Sequence, residues 1–116
     1  MRYTKLKDGW IHDNKTKLEW GPSSTERMAW AEAKIWCKQQ GGRLPEIQEL
    51  VTLVDYSRHN PAIDPIFGNT QSSYYWSSTT FAYNPSYAWD VGFSGGFVYY
   101  VGKTSSSYVR PVRSGQ

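Results

Sequence analysis

Few side chains in this chain have the types and spacing that covalent or metal chemistry needs. His12 and His59 are the only histidines, and neither stands at a metal-ligand spacing from another His or a Cys. Cys37 is the single cysteine, so no intrachain disulfide and no cysteine-based zinc site can form; in a helical pattern it reads as a small buried residue. Asp55 and Asp64 would pair as acid and base only if folding happened to join them; separately they read as a helix-end carboxylate and a loop cap. There is no Gly-x-Ser-x-Gly elbow, no phosphate-cradling glycine loop and no Gly-x-Gly-x-x-Gly after a strand. We therefore expect no catalytic residue, no cofactor and no metal.

Recognition by contact is the chemistry the residue types do offer. Residues 74–115 carry seven of the nine tyrosines and three of the four phenylalanines, among many serines and glycines. Tyrosine supplies a large, rigid contact area at low entropic cost, and Ser and Gly supply adaptable contacts. Tyrosine is also enriched among residues that dominate binding energy. The rings do not sit among clustered Lys and Arg, as a single-stranded nucleic-acid platform requires. The net charge of +3 is scattered along the chain, so nucleic acid is not an expected partner.

The elements that must hold those rings follow from the pattern. A chain of 116 residues, 39% hydrophobic, is expected to form one domain, 1–116, with its own core. No apolar run is long enough to insert in a membrane, and Met1–Lys7 lacks the apolar segment of a signal peptide. Residues 9–20 read as a β-hairpin turning at Asp13-Asn14-Lys15-Thr16. Ser23 and Glu26 have capping-box spacing, which places a helix start near them or slightly later. Trp30, Ala33 and Cys37 mark one face of that helix, which Gly41-Gly42 ends. Pro45 suits the first position of a second helix, with Ile47, Leu50, Val51 and Val54 as its stripe and an end near 56–58. Residues 59–73 form a long irregular connection from which Ile63, Ile66 and Phe67 turn inward. From Tyr74 the period becomes two. Trp89, Val91 and Phe93 alternate with Asp90, Gly92 and Ser94; Ser94-Gly95-Gly96 is a turn, 97–101 a return strand and 107–112 another. Trp76 and Trp89 read as structural, and Ser77 and Ser78 as partners for buried backbone groups. Arg110 and Arg113 read as anchors of the chain end. Strands, two helices and a further run of strands make an α+β fold with antiparallel sheet.

Several stretches together carry a resemblance: "DNKTKLEW" (13–20), "WAEAKIWC" (30–37), "GGRLPEIQELVTLVD" (41–55), "YWSST" (75–79) and "YVRPVR" (108–113). Their order resembles the domain family at the C-terminus of bacterial collagen-like surface proteins. The resemblance implies a C-type-lectin-like fold related to the formylglycine-generating-enzyme branch. Lys17 departs from it, since a glycine is expected in the hairpin turn. Residues 88–113 further resemble the variable region of ligand-binding proteins diversified by retroelements. There, copying errors at template adenines turn Asn codons into codons that cannot encode Lys, Glu, Gln, Met or Trp. Asp90, Gly92, Ser94, Gly95, Phe97, Tyr99, Tyr100, Val101, Gly102, Thr104, Ser105 and Ser107 all avoid those types, as do Phe81, Tyr83, Ser86 and Tyr87 upstream.

Residues 1–79 and 108–116 are then expected to be scaffold and 80–107 a variable binding face. Trp89, Val91, Phe93 and Val98 would point to the core, with the variable positions on the opposite face or in loops. Tyr99 and Tyr100, being adjacent, must point to opposite sides. The expected function is a non-enzymatic module that binds a protein or other macromolecule, carried on a virion or cell surface. The alternative is a glycan or glycosaminoglycan adhesin. The calcium-ligand signatures Glu-Pro-Asn and Gln-Pro-Asp are absent, so calcium independence is expected. The enzymes of the related branch need paired active-site cysteines, and Cys37 is single.

Overall fold

In the computed structural model, which describes residues 1–115, the turn-forming Asp13–Thr16 stretch joins β2 (Ile11–Asp13) to β3 (Leu18–Trp20) as an antiparallel hairpin. The buried Asp13 carboxylate accepts the Lys15 amide at 2.9 Å, and Arg2 clamps it through Nε and Nη2 at 3.1 and 2.9 Å. Lys17 closes the turn at φ 64°, the left-handed conformation that glycine adopts without steric cost. The backbone there is the one a glycine would suit, held by a lysine. A strand the pattern did not reveal, β1 (Tyr3–Lys5), pairs with β2. The chain end, β7 (Val112–Ser114), pairs with β3, giving an antiparallel sheet in the order β1-β2-β3-β7. The expected strand over 107–112 is therefore displaced toward the end of the chain. Ser107 and Tyr108 make only single bridges, to Met28 and Tyr75.

Helix α1 (Trp30–Gln39) buries Ala33 and Cys37 and gives way to Gly41 at φ 91°. Ser23 and Glu26 do not start it. Its N-cap is Ala29, and the Ser23 hydroxyl bonds instead to the Ser24 carbonyl and the Tyr75 hydroxyl. Helix α2 (Ile47–Val51) is shorter than its apolar stripe implied. Pro45 precedes the cap rather than opening the helix; the cap is Glu46, whose amide donates to the Glu49 carboxylate at 2.9 Å. After Val51 the bonds tighten: the Leu53 amide reaches Leu50 and the Val54 amide reaches Val51, each at 3.1 Å. The stripe thus continues through turns of 3₁₀ type. In the long connection, Ile63 and Phe67 are buried and Ile66 half-buried. Pro65–Phe67 form a 3₁₀ turn whose first amide, that of Ile66, donates to Asp64.

The second sheet is antiparallel, β4 (Tyr74–Thr80), β5 (Tyr87–Gly92) and β6 (Phe97–Gly102), in that order. Its two faces feed two cores. Tyr75 and Val91 join Leu50, Trp20, Phe93 and Val112 in one cluster; Trp76 and Ala88 join Ala33, Cys37, Leu44 and Val109 in the other. Two helices and two antiparallel sheets make the fold α+β. No helix among the described residues is long and apolar enough to cross a membrane.

Candidate aromatic binding face

Strand β6 lies at the edge of the second sheet and pairs only with β5. Four successive residues, Phe97, Val98, Tyr99 and Tyr100, are consequently exposed, at 57, 43, 46 and 50%. Alternation sends neighbours to opposite sides, yet at this edge neither side is covered. Two ring clusters result. On one side, Phe81 stacks on Tyr100 with centroids 4.1 Å apart and planes 11° from parallel. Trp89 meets both rings edge-on at 5.1 and 5.6 Å, and Tyr87 and Tyr83 flank them. On the other side, Tyr74 packs edge-on against Tyr99 at 5.4 Å, with Phe97 at 6.1 Å from Tyr99. Rings up to 25 positions apart in sequence, Tyr74 and Tyr99, are brought together this way by strand pairing, and in the β5–β6 register Trp89 faces Tyr100 and Asp90 faces Tyr99.

Local turns hold the loops beside the face. The Phe81 amide donates to the Tyr87 carbonyl at 2.9 Å, closing the 81–87 loop, and the Ser86 amide donates to the Asn84 side chain at 3.0 Å. Tyr83, Ser86, Tyr87, Ser94, Thr104 and Ser105 are exposed; Phe81, Gly95, Val101 and Gly102 are half-buried. At the rim, Lys103 donates to Thr80 at 2.9 Å while its ammonium lies over the Trp30 ring at 4.0 Å.

Three of the expected face residues are instead internal. Asp90 is 2% exposed, because its face of β5 is the Trp76 face and is covered. Its Oδ1 has no hydrogen-bond donor, and burial raises its pKa to about 6. Gly92 is buried under Tyr74, whose ring would stand 3.0 Å from an added Cβ. Ser107 is 3% exposed, locked by paired backbone bonds to Met28. Two expected core residues move the other way. Val91 and Phe93 are buried as the pattern implied, but Val98, opposite Val91, lies on the uncovered edge strand, and Trp89 is half-buried beneath Phe81 and Tyr100. Tyr74, 44% exposed, belongs to the face as well. Its signal was its place beside Tyr75 at the start of a strand, since one of two adjacent residues must face away from the core.

Of the two serines expected to satisfy buried backbone groups, Ser77 does so through its hydroxyl, and Ser78 is bonded through its own amide. The Ser77 hydroxyl donates to the Trp89 carbonyl at 2.6 Å, tying β4 to the strand that carries the face, while the Ser78 amide donates to Pro45 at 2.7 Å. Arg113 bonds Glu19 and Asp8 at 2.8 and 2.9 Å and lies over Trp10. Cys37 is fully buried, and burial pushes its thiol up to about 12. Asp55 and Asp64 do line a common cleft, but Asp55 is engaged by Ser57 and Arg58, and Asp64 caps the 3₁₀ turn. Among the described residues no three His, Cys, Asp or Glu side chains converge as metal ligands would.

A model of the family described as the Lcl C-terminal domain matches residues 9–113. Comparison with curated proteins and with solved structures returned no significant match.

Proposed function

The chain belongs to the Lcl C-terminal domain family, which points to a binding or adhesion domain, and from that premise we propose that it is a non-enzymatic module that presents the β6 edge and the 81–87 loop to a macromolecular target. The observation that carries this reading is the run of four exposed residues Phe97–Tyr100 with the ring clusters on either side. A sizeable exposed apolar patch is a mark of an interaction surface. A buried, unactivated Cys37 and an Asp55 carboxylate engaged by Arg58 fit a function without covalent chemistry.

We further propose that the face is diversified by a retroelement. In support, the exposed positions Tyr83, Ser86, Tyr87, Ser94, Phe97, Tyr99, Tyr100, Thr104 and Ser105 and the half-buried Phe81 all carry residues that such codons permit. The test is the DNA around the gene. A near-copy of the codons for 80–113 with adenines at the mismatches, beside a reverse-transcriptase frame, supports diversification; an uninterrupted locus with neither feature overturns it while leaving the binding reading intact.

The glycan alternative draws on the same rings. Phe81 and Tyr100, however, each give one face to the other, which leaves fewer free faces for stacking on a sugar. Binding to sulfated chains that falls steeply with added salt would favour it over a protein target.

A further inference from the structure

A second site lies apart from the aromatic face and shares no residue with it. Arg110 is 2% exposed, and its guanidinium lies 5.2 Å from the centre of the Phe67 ring. It donates through Nη1 to the Gly21 carbonyl at 2.7 Å and through Nη2 to the Thr70 hydroxyl at 2.7 Å. Both acceptors are neutral. A guanidinium carries five N–H donors; Nε–H and one proton on each Nη have no protein acceptor among the described residues. Among the described residues no carboxylate lies in ion-pair range of it, in contrast to Arg2, Arg43, Arg58 and Arg113, which all have one. Burial accordingly lowers its pKa to about 10. A buried charge without a counter-charge is costly, and a protein retains one only where something answers it.

The guanidinium lines a cavity of about 350 Å³, at the small end of the range for small-molecule sites. Lys5, Ser23, Asn69 and Gln71 add polar groups to its wall, and Ile66 and Phe67 add an apolar side. We propose that this cavity binds a small carboxylate whose two oxygens take two of the remaining N–H donors of Arg110 and whose short carbon body lies against Ile66 and Phe67. The planar fork of a guanidinium matches a carboxylate, and the apolar wall favours an anion that carries carbon over a bare inorganic ion.

The test is a titration of the ¹⁵N-labelled full chain with sodium butyrate, read at the Arg110 Nε–H resonance, with sodium chloride, phosphate and sulfate as arms at matched ionic strength. The expected result is a saturable shift with butyrate and none with chloride. Butyrate should also raise the thermal midpoint of the wild-type chain and leave that of Arg110→Gln where chloride leaves it. The absence of any saturable shift overturns the site. Saturation by phosphate or sulfate at lower concentration than butyrate overturns the carboxylate assignment. If Arg110→Gln does not fold, the wild-type titration decides alone.

Discussion

Phe81 and Tyr100 stack on each other 4.1 Å apart although they lie nineteen positions apart in the chain, and they do so on the surface, with Tyr100 half exposed. The contact orders a ring platform without placing it in either core. A double-mutant cycle of Phe81→Ala and Tyr100→Ala should therefore give a coupling of about 0.5–1.5 kcal/mol. Each single change should cost about 1 kcal/mol, well below the 3–5 kcal/mol typical of a buried aromatic truncation. Urea melts would measure both; losses of the buried-ring size would place these residues in the core.

Asp90 adds a pH dependence of a definite sign. Burial raises its pKa from 3.8 to about 6. The native state therefore holds a proton that the unfolded state releases between those values. Stability from this group is complete below about pH 3.8 and is lost as pH rises through about 6. The gap corresponds to about 3 kcal/mol. Asp90→Asn should match the wild type at pH 3.5 and exceed it by up to about 3 kcal/mol at pH 7. Asp13 works in the opposite sense: burial alone would raise its pKa, but hydrogen bonds from Arg2, Lys15 and Thr16 bring it below the usual value. Being common to both proteins, it cancels in their difference. A difference that does not change with pH would show that Asp90 is not the buried acid described.

Lys17 holds a left-handed backbone at φ 64°. Lys17→Gly relieves the contact between Cβ and the following carbonyl, worth about 1–2 kcal/mol, while the freer unfolded chain takes back up to about 1 kcal/mol. A net gain of about 0.5–1 kcal/mol in chemical denaturation is expected; a loss would mean the lysine side chain makes a contact that compensates.

Gly95 and Gly96 adjoin in the β5–β6 turn and should respond differently. Gly96 has φ 89°, and a Cβ there would stand 2.4 Å from Val54 Cγ1. Gly96→Ala should cost more than about 2 kcal/mol, from strain and overpacking together. The three atoms nearest a Cβ at Gly95 all belong to the ring of the exposed Phe97, which can swing away. Gly95→Ala should cost less than about 1 kcal/mol. Equal losses in circular-dichroism melts would remove the distinction between the variable and the fixed turn residue.

The same contrast shows what could be read from the pattern. The helical spacing of Ala33 and Cys37, the hairpin turn at Asp13–Thr16 and the period of two after Tyr74 are local signals, and each element formed where they lie. Alternation also separated Tyr99 from Tyr100. It could not report strand order. Val98 and Val91 share a face, but Val91 sits on the central strand and Val98 on the edge, so one is fully buried and the other 43% exposed. Asp90 is buried for the converse reason: both faces of the central strand are covered, each by a different core. The strand β1 left little signal because Tyr3–Lys5 has only three residues and little apolar alternation, and it is a strand by virtue of its pairing with β2; the apolar stripe of α2 could not tell an α-helix from the 3₁₀-type turns that follow Val51.

The most direct test of the binding face is a displayed library on this scaffold. Phe81, Tyr83, Tyr87, Phe97, Tyr99 and Tyr100 are randomised with codons ending in C or T, and the library is panned separately against hen lysozyme and serum albumin. The expected result is two target-specific sets of binders, different in sequence at these positions, with melting temperatures within a few degrees of the parent. Libraries that lose folded members in proportion to the number of positions changed, or that yield no target-specific binders, would contradict a face separable from the fold.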